Sequence, residues 1–156
     1  MTLRRLACGY LLLQGLGAVA WWGMLAAWPA SRAAFRAADA PDSSLLAFAV
    51  ADLGLFAALS IGVAIGLHHR SRWAWPLLAI HTGAAMYAGL TCWTLTAMTG
   101  EAWLGALLMT PPMVLPGWFL WQLRGEECAA WIDSDSPAKP DPPPAPGFSP
   151  KHSPKR

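Results

Sequence analysis

Four long apolar runs constrain this chain more than any other feature: residues 6–28, 45–67, 73–98 and 102–123. A hydrocarbon core of about 30 Å is crossed by about 20 helical residues rising about 1.5 Å each, and every run reaches that length. In lipid the backbone must satisfy its own hydrogen bonds, so the expected fold is all-α. We expect a polytopic membrane protein in which a four-transmembrane-helix bundle fills residues 1–125. Charged residues make up 13% of the 156, against about 25% in soluble domains, and they fall between or after the runs. No stretch is left for a separate soluble catalytic domain.

Charge placement orients the spans, because arginine and lysine in short loops favour the cytoplasmic side. Arg4, Arg5, Arg70, Arg72 and Arg124 flank one set of span ends, and Arg32 and Arg36 the other, beside Asp39, Asp42 and Glu101. Five against two places both termini in the cytoplasm, with the bundle in the inner (cytoplasmic) membrane of a bacterial-type cell. Tryptophans fall into two matching belts at the headgroup level. Trp28, Trp93 and Trp103 lie outside, and Trp73, Trp75, Trp118 and Trp121 inside.

The first run exceeds the 7–15 apolar residues of a signal peptide and reads as a retained helix. Residues 31–38 of the outer loop suit a short interfacial helix with Phe35 among the headgroups. Asp42, Ser43 and Ser44 offer N-capping oxygens to the second span. Gly100 offers the positive φ that ends the third. From residue 126 to 156 the chain turns acidic, proline-rich and finally basic. Proline removes backbone donors and favours a solvated, extended state, so this segment is expected to be a disordered cytoplasmic tail.

Within the spans, the groups that hydrocarbon penalises mark candidate sites. Asp52 is the clearest, since an intramembrane carboxyl normally faces a partner or water. Counted along antiparallel helices, Trp21, Trp22, Thr91, Cys92, Met109 and Thr110 lie near its depth. The expected binding site is therefore Asp52 with Trp22, Thr91 and Thr110, set against a plain helix-packing role for the same groups. Gln14, Ser60 and His81 form a second polar layer nearer the cytoplasm, suited to interhelical hydrogen bonds. The two layers are about 9 Å apart along the membrane normal by the same count, too far for an Asp52–His81 ion pair.

No metal site, haem or other cofactor is expected. His68 and His69 are adjacent in a loop and His81 stands alone, whereas haem in a bundle needs opposed axial ligands. Cys8, Cys92 and Cys128 lack paired metal spacing. Gly62 and Gly66 form a GxxxG pattern that lets backbones approach closely. Its first use is packing within the subunit, and its second a seam for a homo-oligomer or a membrane-protein partner. Pro111, Pro112 and Pro116 delete donors in the fourth run and are expected to kink or unwind it. They free carbonyls near Leu107 and Leu108 that Thr110 can serve.

The stretches Leu11-Leu12-Leu13-Gln14-Gly15-Leu16, Ala20-Trp21-Trp22, Pro41-Asp42, Trp103-Leu104-Gly105-Ala106-Leu107-Leu108-Met109 and Pro111 carry a resemblance across residues 6–123. This texture resembles the four-helix membrane segment of some bacterial proteins with an isoprenylcysteine carboxyl methyltransferase-like domain. The part that would bind S-adenosylmethionine has no counterpart, so the resemblance implies an accessory membrane module and carries over no catalytic residue. The expected role is a non-enzymatic accessory or structural membrane subunit, with the lipid bilayer as its main partner and no nucleic acid. The alternatives are a small-solute, lipid or proton binding or transport module centred on Asp52, and a small membrane enzyme acting on a lipid-soluble substrate.

Overall fold

The computed structural model describes residues 2–38 and 40–135, with side chains to Gly125. Asp39 and the residues from 136 onward, including most of the expected tail, lie outside the described part. The described backbone is helical, without strands. Helix α1 is Leu3–Ala27. A 3₁₀ helix, Pro29–Phe35, leads to α2, Asp42–His68, then α3, Ala74–Thr99, and α4, Trp103–Asp135. Three segments are long and apolar enough to cross a membrane: α1, α2 and Trp103–Gly125 of α4. Helix α3 matches them in length at 26 residues, but His81 and the threonines at 82, 91, 94, 96 and 99 lower its hydropathy.

The second helix is composite. It opens with Asp42–Leu46 and Ala49–Ala51, passes through a π-helical segment, Asp52–Ala58, and finishes as regular α-helix over Leu59–His68. π-Turns carry i→i+5 bonds and are rare within helices.

One buried cluster ties the elements together where α2 hands over to α3. Ala7 and Leu11 of α1, Val63 and Leu67 of α2, Leu78 of α3, and Phe119 and Leu123 of α4 all belong to it. Tyr10 of α1 lies against Phe119, ring centroids 5.7 Å apart. Elsewhere large apolar side chains face outward, among them Leu13, Val50, Leu55 and Leu107.

Small residues set the close approaches. A Cβ at Gly15 would meet Ile61 Cγ1 at 2.7 Å and the Ala57 carbonyl at 3.0 Å, so α1 and α2 touch through it. At Gly89 it would meet Met113 at 2.9 Å, which joins α3 to α4. The GxxxG pair is divided: Gly66 packs against Trp73 and Ala74 of its own chain, whereas nothing lies within 4 Å of an added Cβ at Gly62.

Several local expectations are revised. Pro41, not an acidic or hydroxyl residue, occupies the N-cap of α2, with no side-chain cap bond. Asp42 is drawn away by Arg32 and Arg36, at 3.2 and 3.1 Å, and the Ser44 hydroxyl donates to the Pro41 carbonyl. Phe35 sits edge-on to Trp21 of α1, centroids 5.3 Å apart. Helix α4 runs through its three prolines and on to Asp135, past the expected start of the tail at 126. Glu126, Glu127, Ala129 and Ala130 are good helix formers, and the next proline is Pro137. The Thr110 hydroxyl donates to the Ala106 carbonyl, one residue before those freed by Pro111 and Pro112. The turn after α3 is as expected: Gly100, at φ 72°, donates its N–H to the Thr96 carbonyl.

Candidate functional site

Asp52 begins the π-helical segment of α2. Its carboxylate Oδ2 accepts a hydrogen bond from the Trp22 indole Nε1–H at 3.2 Å. Trp22 is 6% exposed, so the indole N–H is taken from lipid and given its one acceptor. Such a pair satisfies two groups that hydrocarbon would penalise separately. The partner brought near from α3 is Cys92, which lies within electrostatic reach of the carboxylate.

The two threonines expected beside Asp52 have other bonds. The Thr91 hydroxyl donates to the Tyr87 carbonyl of its own helix at 2.9 Å and lines a shallow groove with Tyr87, Leu90, Thr94, Leu95 and Met98. Thr110 accepts from the Trp93 indole at 3.1 Å, linking α4 to α3. Among the expected members, Trp22 is thus the one hydrogen-bonded to Asp52, while Thr91 and Thr110 serve α3 and the α3–α4 contact.

The folded loop between α1 and α2 adjoins the end of α1 near this pair. Arg32 Nε donates to the Leu25 carbonyl at 3.0 Å, near the C-terminal end of α1, where unpaired carbonyls favour a cation. Arg36 Nη1 donates to the carbonyls of Ala37, Ala38 and Ala40. From the turn between α3 and α4, the Glu101 carboxylate accepts from the Ala38 N–H at 2.6 Å. The Trp21–Phe35 contact joins this loop to the indole next to Trp22. Adjacent opposite charges in residues 32–42 gave a signal for these pairs, but nothing in the sequence pointed Glu101 at Ala38.

The second polar layer is a three-helix junction. His81 of α3 is wholly buried, and its Nε2 lies 2.9 Å from the Gln14 amide nitrogen of α1. With Gln14 donating, the imidazole carries its proton on Nδ1. The Leu55 carbonyl in the π-helical segment also bears on the ring, and Phe56 packs against it at 5.4 Å between centroids. Ser60 of α2, itself buried, donates to the Leu11 carbonyl of α1 at 2.9 Å. Gln14 Oε1 and His81 Nδ1 have no hydrogen bond of normal geometry among the described residues.

Chemically, this arrangement joins helices. Among the described residues, no three His, Cys, Asp or Glu side chains gather as a metal site requires. Compared with family models, curated proteins and solved structures, the chain matches none.

Proposed function

We propose that the chain is a non-catalytic accessory or structural subunit that spans the inner membrane four times, with both termini in the cytoplasm. One observation carries this reading: polar side chains between the helices make hydrogen bonds that cross from one helix to another. Trp22–Asp52, Gln14–His81, Ser60–Leu11 and Trp93–Thr110 each join two helices, and interhelical bonds of this kind contribute about 0.6–2 kcal/mol apiece. Helix α3 crosses with the other three in this proposal. Its length suffices, its ends meet short turns, and its His81 and Thr96 are buried among neighbours instead of facing lipid. The resemblance to the membrane segment of methyltransferase-like proteins points the same way.

A second reading, a binding or transport module, is favoured by Asp52 itself, whose described hydrogen bonding is the single bond to Trp22. Purification in a mild detergent separates the two. An accessory subunit elutes with a stoichiometric membrane partner, and Asp52→Asn leaves that partner bound. A transport module shows flux in liposomes that Asp52→Asn abolishes. Topology is read from reporter fusions, which should place Gly125 in the cytoplasm and residues 37–42 outside; an external signal at Gly125 overturns the orientation.

A further inference from the structure

We propose that the outward face of α3 is the seam of a homodimer, covered by α3 of a second copy about a twofold axis along the membrane normal. The proposal rests on α3 crossing the membrane as put forward above. Its starting point is Tyr87, which is 73% exposed. The residue lies about 19 Å from the first residue of α3 and about 18 Å from the last, at about 1.5 Å per residue. That is the middle of the bilayer. Tyrosine belongs at the interface, where its hydroxyl stays wet, and a phenol at the midplane is too short to reach it. A hydroxyl facing hydrocarbon without a partner is penalised, so this one calls for an acceptor from outside the chain.

The surrounding pattern suits a second copy of the same helix. Ile80, Ala84, Tyr87, Thr91, Thr94 and Met98 recur at spacings of four and three, the 3.5-residue period that keeps one stripe facing a partner helix in a left-handed crossing. Ile80 is 55% and Met98 81% exposed, and the groove beside the stripe holds about 370 Å³. Nothing lies within 4 Å of an added Cβ at Gly83, which leaves room for a backbone to approach. A twofold axis along the membrane normal sets each residue opposite itself at the same depth. Hydroxyls accept this arrangement because each both donates and accepts. Like charges would not, and α3 contains no Asp, Glu, Lys or Arg. The seam is self-complementary as it stands.

The test is disulfide cross-linking in native membranes. Cysteines are placed singly at Tyr87 or Thr94 on the stripe, and at Met86 or Ala97 beside it, in a chain whose Cys8, Cys92 and Cys128 are serine. Oxidation should give covalent dimers from Tyr87→Cys and Thr94→Cys and none from the flanking positions. A membrane-impermeant maleimide should leave all four unlabelled. Labelling at residue 87 shows that α3 is not embedded, and overturns both the four-span reading and the dimer. Protection without dimers from 87 or 94 overturns the dimer alone, as does cross-linking to a different protein. Tyr87→Phe should raise the dimer dissociation constant about threefold to tenfold, read by energy transfer on dilution in liposomes; an unchanged constant refutes the role of the hydroxyl.

Discussion

Replacing Gly15 and Gly17 separately with alanine isolates the contact that holds α1 to α2. Both residues lie inside α1, so the gain in helix propensity, about 0.5–1 kcal/mol, is common to the two variants and cancels. What differs is space. The new methyl at Gly15 lands 2.7 Å from Ile61 Cγ1, on the stiff, β-branched part of that side chain, and 3.0 Å from the backbone carbonyl of Ala57. Neither neighbour swings aside cheaply, so the helices must separate or Ile61 must leave its rotamer. Overpacking of this kind costs about 1–3 kcal/mol. At Gly17 nothing lies within 4 Å, and the methyl meets open surface. Gly15→Ala should therefore be less stable than Gly17→Ala by about 1–3 kcal/mol, a factor of about 5 to 150 in the unfolding equilibrium. Unfolding purified protein in mixed micelles by graded addition of a denaturing detergent, followed by tryptophan fluorescence, measures that difference. Equal midpoints and slopes for the two variants would refute the α1–α2 contact at Gly15.

Asp52→Leu strands the Trp22 indole N–H and should lower stability by about 1–3 kcal/mol in the same assay, while Asp52→Asn keeps an acceptor and should stay within about 1 kcal/mol of the native chain; equal losses for both would show that the indole bond contributes nothing. A double-mutant cycle of Gln14→Leu and His81→Leu should give a coupling of about 0.6–1.7 kcal/mol, and additive losses would refute the interhelical bond.

Depth was legible in the sequence and direction was not. Counting along the runs brought Asp52 level with Trp22, and Gln14 level with His81, because helical rise is constant and the spans are antiparallel. The same count set Thr91 and Thr110 level with Asp52, and their hydroxyls bond elsewhere, to the Tyr87 carbonyl and to Trp93 and the Ala106 carbonyl. Choosing among residues at one depth needs the rotation of each helix about its axis, which in soluble proteins is read from an apolar stripe. Here the outward faces are as apolar as the core, as Leu13 beside Leu11 shows, so no stripe distinguishes them. Gly100 was legible because a left-handed turn has one preferred residue. The Phe35 contact was not, because its partner, Trp21, is chosen by how the loop between α1 and α2 folds back.

The π-helical segment of α2 governs which changes of length that helix can accept. From Asp52 to Ser60 an unbroken α-helix turns by about 100° per residue, leaving the two side chains about 80° apart. The π-turn lies within this interval and absorbs about one residue without the matching rotation, which narrows the difference to about 20°. Asp52 can then reach Trp22 while Ser60 reaches Leu11, both on α1. A one-residue deletion within the π segment would restore regular geometry and leave seven intervals of about 100°, the same offset of about 20°, so Asp52 would keep its indole and Asp42 its arginines. The hydrophobic length would hardly change. Alignment with α1 is thus a matter of counting: the π segment can lose one residue without disturbing it, whereas a second deletion, which no composition or hydropathy profile would register, rotates the N-terminal part of α2 by about 100°.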